Sequence, residues 1–413
     1  MRQGIVWSRL LGVSGSVVES VGVDEAAGAL VARVRVRRGQ SRRCGLCGRR
    51  SIRYDRGEGL RRWRAPDLGT TVALVEAEAP RVQCREHGVV VARVPWARHD
   101  SRFTREFEEQ CAWMAVHVSK ATLSEYLRIA WRSVGAIISR VVEERSVGTD
   151  RLDGLIKIGI DEVSFRKGQR YLTVVVDHGS GRVVWVAEGR DEATLESFFE
   201  QLGPERSQAL RFVSADAASW IGNVVRRRCP QATICLDPFH VVSWATEALD
   251  EVRRDVWNAA RRAGQTHLAR ELKNSRYALW KNPEDLTRRQ GAKLAHIART
   301  NGPLYRAYLL KEQLREVFKL PAHRAGVLLH HWIRWARRCR LEPFVKLQRS
   351  IVEHRAPILD AIRHGLSNAR VESVNTRIRL LTRIAFGFHS AAPLIALVML
   401  ALGGLCPPLP GRS

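Results

Sequence analysis

The sequence predicts an α/β core that is interrupted by an all-helical insertion and preceded by two smaller modules, one β-rich and one a helix-turn-helix. Three observations carry this reading. Between residues 155 and 236 short apolar runs alternate with helical segments in the order strand, strand, strand, helix, strand, helix, strand. From Phe239 to about Arg363 only helix-period segments occur, with Trp244, Trp257, Trp280, Trp332 and Trp335 among many Arg and Lys. The first hundred residues, in contrast, show the period-two alternation of strands.

The chain has 413 residues, 45% of them hydrophobic and 27% charged, enough apolar content to bury cores and to exclude a disordered tail or linker. At roughly 100 to 200 residues per domain, this length predicts two to four domains. Its 68 Lys+Arg against 42 Asp+Glu leave a formal charge of +26, a field that collects polyanions, so nucleic acid is the expected partner. The opening residues lack an apolar segment of signal-peptide length. The longest apolar run, Leu394 to Leu402, is well short of the roughly 20 residues that cross a bilayer. A soluble, cytoplasmic protein without membrane contacts is the expectation. Eight cysteines are too sparse for a disulfide scaffold and are expected as thiols or metal ligands.

In chain order, Leu30–Val36 and Thr70–Ala77 alternate as strands, and thirteen arginines against two acids fall between Arg33 and Arg64. Ala121–Arg128, a break at Ile129–Trp131 and Val134–Val142 have helix-turn-helix spacing. Leu155–Ile160, Tyr171–Val176 and Arg182–Ala187 are apolar strands joined by turns at Gly168 and at Gly179 to Gly181. Helices are predicted at Ala193–Leu202 and Trp220–Arg228, and strands at Leu210–Ala215 and Ala232–Leu236. The last core helix, Ala369 to about Arg383, places Val371, Val374, Ile378 and Leu381 on one face. The resulting division is 1–100 for the β-rich module, 101–150 for the helix-turn-helix, 151–240 for the first part of the α/β core, 241–362 for the helical insertion and 363–413 for the second part of the core and the tail.

Asp161 and Asp216 each terminate a predicted strand. If those strands are neighbours, both carboxylates leave one edge of the sheet, where open α/β sheets bind ligands. Phosphodiester chemistry uses two hard divalent cations roughly 4 Å apart, and Mg²⁺ takes carboxylate oxygens while keeping several waters. The third carboxylate is expected from Glu372, near the start of the last core helix. Asn368, Asn375 and Arg379 flank it at i−4, i+3 and i+7, a polar stripe suited to facing phosphates. Asp after a strand is also ordinary turn chemistry, and a Glu in a first helical turn also stabilises the helix dipole, so position alone leaves both readings open. Glu162, next to Asp161, is expected on the opposite face and is left out of the triad.

Cys44-Gly-Leu-Cys47 is followed after 36 residues by Cys84-Arg-Glu-His87. Two ligand-x-x-ligand knuckles fit a structural Cys₃His zinc site, the alternative being two unrelated pairs of side chains. His99 is a poor competitor as a ligand. Arg61, Arg62 and Arg64 surround Trp63, a combination that can serve a DNA backbone or base but can also be a solvated face. In the helix after Trp131, Arg132, Ser133, Ala136 and Arg140 would face a major groove, with Trp131 and Ile137 packing inward; a plain three-helix bundle is the other reading. The remaining cysteines read as buried or half-buried thiols. No P-loop or Ser-His-Asp pattern occurs.

Four segments add a resemblance: Gly159-Ile-Asp-Glu162, Asp237-Pro-Phe-His-Val241, Ser367-Asn-Ala-Arg-Val-Glu-Ser-Val-Asn375 and Arg383-Ile-Ala-Phe-Gly-Phe388. They closely resemble the DDE transposases of bacterial insertion sequences in the ISL-three class, and the likeness covers most of the chain. It implies a ribonuclease-H-like core, a zinc finger at the N-terminal cysteines, a metal-binding triad at Asp161, Asp216 and Glu372, and Mg²⁺ or Mn²⁺ at that triad. It also implies that Asp237 and His240 lie beside the active site, with His240 contacting DNA or orienting the scissile phosphate; Asp237 also reads, from its position alone, as a cap of the helix beginning at Pro238. Ser373 and Ala217-Ala218 are small departures from the pattern. The implied activity is cleavage at the ends of an element followed by strand transfer to double-stranded DNA, by a dimer or higher oligomer in the bacterial cytoplasm near the nucleoid. A non-cutting DNA-binding regulator and a nuclease of the same fold are the rivals.

Overall fold

Alternating apolar and polar residues shape the start of the chain into half-buried strands, because successive side chains leave opposite faces. A computed structural model describes residues 3–409. The chain divides into two units, one running to Asp150 and taking in the stretch from Leu380 onward, the other spanning Arg151–Arg379.

In the first unit α1 (Gln3–Leu10) precedes the antiparallel pair β1 (Ser16–Asp24) and β2 (Ala29–Val36). β3 (Ile52–Asp55), β4 (Leu60–Leu68), β5 (Thr71–Glu78), β6 (Arg81–Cys84) and β7 (Gly88–Val91) follow. They form a four-stranded sheet, β1-β2-β5-β4, with β2 and β5 parallel, and an antiparallel sheet, β3-β6-β7. The larger sheet buries Ala32, Val34, Trp63 and Val75 together with Leu11 and Trp96. Trp63 meets Trp96 edge-on at 5.6 Å between ring centres. At 3% exposure Trp63 is core and not a stacking platform for DNA, because the face of β4 that carries it packs inward.

α2 (Arg105–Ala115), α3 (Lys120–Leu127) and α4 (Trp131–Val147) make the helical module. The turn between α3 and α4 depends on Arg128, which adopts a left-handed φ of 55°. Leu123, Leu127, Val134, Ile137, Ile138 and Val141 are buried. Trp131 is 53% exposed, so of the two residues expected to pack only Ile137 does. Lys120 Nζ instead lies over the Trp131 ring at 5.2 Å. The fully buried Glu108 accepts from Arg98 Nη1 at 3.0 Å, Ser101 Oγ at 2.8 Å and Arg140 Nε at 2.8 Å, the pairing that makes a buried carboxylate tolerable.

The second unit opens with β8 (Lys157–Arg166), β9 (Arg170–Asp177) and β10 (Val183–Glu188). α5 (Glu192–Leu202), α6 (Pro204–Ala209), β11 (Phe212–Ala215), α7 (Ser219–Arg228) and β12 (Thr233–Leu236) complete the mixed unit. The sheet order is β10-β9-β8-β11-β12, antiparallel from β10 to β8 and parallel from β8 through β11 to β12. The predicted order of elements holds with one addition, the six-residue α6 that Pro204 starts. Ile158 and Ile160 on one side of β8 join Leu195, Phe198, Val213, Ile221 and Val224 in the core. Asp161 does not terminate its strand: β8 continues to Arg166 because Val163 and Phe165 stay buried and the pairing with β9 runs on.

The insertion begins with the 25-residue α8 (Pro238–Arg262). It continues through α9 (Thr266–Lys273), α10 (Arg276–Trp280), α11 (Arg288–Thr300), α12 (Gly302–Val317), α13 (Ala322–Arg338), α14 (Glu342–Glu353) and α15 (Arg355–His364). These helices enclose a core of their own around Leu249, Leu310, Leu314, Leu329, Trp332 and Phe344. Trp332 Nε1 donates to the Leu310 carbonyl at 2.7 Å, satisfying its buried N–H. α15 returns the chain to the sheet beside β12, with Ala361 against Cys235. α16 (Ala369–Ile384) and α17 (Ala391–Leu402) end the described fold. α17 is the longest apolar run; it buries Leu394, Val398 and Leu400 and packs on α4. That packing draws the stretch from Leu380 into the first unit, whereas the sequence division attaches 363–413 to the catalytic core. No described helix is long and apolar enough to cross a membrane.

Candidate active site

β8 and β11 run parallel with Gly159 opposite Ser214, so two residues further along each chain Asp161 and Asp216 stand side by side on the face away from Ile158 and Ile160. α16 covers that face. Its close approach requires Gly159: a Cβ there would lie 2.4 Å from Val371 Cγ2 and 3.1 Å from Ser214 Oγ. Asn368, just ahead of α16, and Asn375, about two turns further on, then reach the strands. Asn375 Nδ2 donates to Asp161 Oδ2 at 2.8 Å. Asn368 accepts from Ser214 Oγ through Oδ1, and its backbone N–H donates to Asp237 Oδ1 at 3.1 Å. Both amides are 1% exposed. The stripe expected to face phosphates is thus divided: Asn368 and Asn375 clasp the sheet beside the buried Val371, Val374 and Ile378, and Arg379 is exposed. A Gly159→Ala protein should lose about 1–3 kcal/mol of stability in thermal or urea unfolding, since the added methyl must displace α16.

Charge collects at this edge. Burial, with the like charges of Asp216 and Glu162 adding to it, pushes the Asp161 carboxyl up to about 6 against the opposing Glu162 N–H bond. Glu372, half-buried, is raised by burial and then by Asp237. Glu162 is raised by burial and then by Asp216, while Arg190 Nε, 3.0 Å from its Oε1, works against the rise. His240 Nδ1 lies 3.5 Å from Asp237 Oδ2 and Nε2 lies 4.0 Å from Asp216 Oδ2; the contact with Asp237 comes first among the causes that raise its pKa. Asp237 stands at the N-cap position of α8, yet its side chain does not cap the helix and accepts from Asn368 instead. Asp237 Oδ2, His240 Nδ1 and Asn375 Oδ1 are buried without a hydrogen-bond partner among the described residues.

Buried carboxylates that repel one another suit a hard divalent cation, which takes oxygen ligands and removes the repulsion. The carboxylates are spread: among the described residues only the cysteine cluster below brings three or more ligand atoms within 4.8 Å. A spread set suits two ions better than one, since two ions stand several ångströms apart. Sequence reasoning left out Glu162, which the structure brings within electrostatic reach of Asp216. Its signal was the acidic pair Asp161-Glu162, set aside on strand alternation alone.

Cys44, Cys47, Cys84 and His87 come together in the first unit. Cys47 and Cys84 Sγ are 3.7 Å apart, and His87 Nδ1 lies 3.6 Å from Cys84 Sγ and 3.9 Å from Cys44 Sγ. The edge of a tetrahedron with legs of about 2.3 Å is about 3.8 Å, so the four atoms fit a zinc ion. Gly48, left-handed at φ 70°, turns the first knuckle and donates its N–H to the Cys44 carbonyl at 3.0 Å. Contact with His87, with help from backbone N–H groups, holds the Cys84 thiol down at about 6, as suits a thiolate ligand. His99 lies against Gly45 but is outside the set. The other cysteines are buried, apart from the half-buried Cys406.

The expected DNA-contact residues separate into two groups. Arg132 is exposed and Ser133 half-exposed at the start of α4. Arg140 is bonded to Glu108, Arg62 to Glu76 and Asp24 at 2.9 Å each, and Arg64 to Asp67, while Arg61 lies over the Trp63 ring at 5.6 Å. A paired arginine must give up its partner to meet a phosphate. In the Arg383–Phe388 segment, Phe386 is 93% exposed at a left-handed φ of 56°, and Phe388 lies over Lys120.

Three family profiles match in succession. Residues 40–87 match the zinc-finger of transposases IS204, IS1001, IS1096 and IS1165. Residues 92–142 match the helix-turn-helix domain of transposase family ISL3, and residues 158–398 match a profile of that family described as transposase. The transposase for insertion sequence element IS1557 of Mycobacterium tuberculosis is 52% identical over 436 residues, covering 100% of this chain and 98% of that protein. The transposase for insertion sequence element IS1001 of Bordetella parapertussis is 28% identical over 351 residues, covering 84% and 85% of the two chains.

Proposed function

The chain belongs to the ISL3 family of DNA transposases, with a zinc ribbon and a DNA-binding helix-turn-helix ahead of its DNA-cutting part, and from that premise we propose how its own residues perform the reaction. Asp161, Asp216 and Glu372 would hold two Mg²⁺ ions. When bound, these ions supply an activated attacking oxygen and neutralise charge on the phosphate and the leaving oxygen. The observation that carries the reading is the clasp: Asn375 orients Asp161, and Asn368 ties α16 to Asp237 and Ser214, so the helix bearing Glu372 is fixed over the two strands that bear the aspartates.

The remaining residues have supporting parts. His240, biased toward its protonated form by Asp237 and Asp216, offers a cation to a phosphate oxygen at the rim of the site. Hydrolysis frees a 3′-hydroxyl at the element end, and that hydroxyl then attacks a target phosphodiester in line, expelling the target strand's 3′-oxygen as a free hydroxyl, without a covalent protein intermediate. The core is of ribonuclease-H-like type, a reading supported by three antiparallel strands extended by two parallel ones, with the helical segment entering after the last strand. Modules 1–100 and 101–150 bind the element end, 151–240 and 363–413 carry the chemistry, and 241–362 is the insertion. Two ends must be held at once, so the working form is a dimer or larger.

The test is cleavage and joining of a labelled duplex carrying the element end and its flank, in Mg²⁺ or Mn²⁺. Cutting followed by joining is the expected result. Cutting without joining makes the chain a nuclease, and binding alone makes it a regulator. Base recognition is assigned to Arg132 and Ser133 at the exposed start of α4. An Arg132→Ala protein should lose about tenfold or more in binding to the end sequence, with a smaller loss on random duplex. Equal losses on both would move recognition elsewhere.

A further inference from the structure

The geometry points to a second DNA-binding surface: the outward face of α13 in the insertion grips the phosphate backbone of duplex DNA without reading its sequence. This rests on the transposase reading above and gives the insertion a task. α13 has the sequence AHRAGVLLHHWIRWARR, with four arginines, three histidines and no acidic residue. Ala325, Leu329, Trp332 and Ala336 form its inner stripe, each 0% exposed. Arg324, Arg334, Arg337 and Arg338 occupy the exposed side, with His323, His330 and His331 among them.

Two observations describe how this face meets solvent. The first is pairing. Several basic side chains of the insertion are matched with acids, Arg315 with Glu284 and Glu312, Arg253 with Asp250 and Lys311 with Glu312, whereas others, such as Arg288 and Arg289, stand exposed as those of α13 do. The four arginines of α13 make no ion pair or side-chain hydrogen bond among the described residues. The second is position along the helix. Arg337 and Arg338 in the last turn complement the helix dipole, but Arg324 lies in the first turn, where a cation opposes it. Local helix stability does not account for Arg324.

A rigid rod suits the proposed partner. From Arg324 to Arg338 the helix rises about 21 Å. A duplex presents one charge per about 1.7 Å of its axis, so several phosphates fall within that span. The inner stripe anchors the helix in the insertion core, so the spacing of the four arginines along it is set before DNA arrives. Without base-directed side chains in a groove, such a face adds affinity and not sequence preference.

The experiment measures binding across a salt series for the full chain, its Arg334→Gln/Arg338→Gln variant and the matching Arg→Lys variant. Three duplexes are used: an element end with a short flank, the same end with a long flank, and an unrelated sequence. Wild type should lose affinity steeply with salt. Each arginine removed from a phosphate should reduce the slope of log affinity against log salt by about 0.9, so the Gln variant should fall by about 1.8 while its preference for the end sequence persists. The Lys variant should restore the slope. A reduction seen with the long flank and not the short one assigns the surface to flanking DNA, and one seen on the unrelated duplex assigns it to target DNA. Unchanged slopes on all three, with end preference intact, would overturn the surface while leaving the transposase reading in place. A wild type that binds none of the duplexes overturns both.

Discussion

Asp161→Asn and Glu372→Gln proteins will bind the element end as wild type does and will cut it at least about 1,000-fold more slowly. Each variant keeps the size and shape of its side chain and removes one negative charge from the proposed metal-binding edge. Asp161→Asn leaves one acceptor oxygen for the two donors that Asp161 serves, Asn375 Nδ2 and the Glu162 N–H, so Glu372→Gln is the cleaner report on charge. A metal site supplies several kcal/mol of transition-state charge stabilisation, and each 1.36 kcal/mol is tenfold in rate, which gives about 1,000-fold or more when the site is compromised. The measurement is single-turnover cleavage of the labelled end in Mg²⁺, beside a binding assay in Ca²⁺. Glu162→Gln belongs in the same experiment, because Glu162 lies within electrostatic reach of Asp216 and is held by Arg190. Its loss should be milder. If Glu162→Gln abolishes cutting while Glu372→Gln cuts normally, the third ligand comes from β8 and not from α16.

That choice between Glu162 and Glu372 shows what was legible in the sequence. Strand and helix order in the second unit follows from periodicity alone, and the knuckle spacing at Cys44, Cys47, Cys84 and His87 assembles as the zinc chemistry requires. Residues whose partners lie far along the chain were harder to read. Asn368 and Asn375 sit on the polar side of an amphipathic pattern, yet both are buried, because Ser214, Asp237 and Asp161 supply their hydrogen bonds from well over a hundred residues away. Nothing local in the sequence encodes such a pairing. The end of β8 was misplaced for a related reason: the polar Asp161-Glu162 pair looks like a turn, and only pairing with β9 carries the strand beyond it. Trp63 and Trp131 were exchanged in role. An indole among arginines gives no indication of which face of its strand packs inward, and here β4 buries Trp63 while α4 leaves Trp131 outside.

Removal of zinc should dismantle the finger and leave the catalytic unit standing. The three-stranded sheet that carries the knuckles exposes most of β3, with Ile52 at 79% and Tyr54 at 56%, so it buries little apolar surface of its own. A structural zinc site in a module of this kind supplies about 10 kcal/mol or more of folding free energy. Without the ion, three thiols and an imidazole packed at 3.6 to 3.9 Å have nothing to hold them together. The expected outcome for Cys47→Ser, or for wild type treated with a strong chelator, is loss of one zinc per chain by atomic emission. A low-temperature unfolding transition should appear, and binding to the element end should fall at least tenfold. The second unit has separate cores around Ile158 and Trp332 that share no residue with the finger, so its own melting transition should remain. X-ray absorption on the wild type should give three sulfur neighbours at about 2.3 Å and one nitrogen at about 2.0 Å. Unchanged zinc content in Cys47→Ser would place the ion elsewhere, and loss of zinc with undiminished end binding would leave recognition to the helix-turn-helix alone.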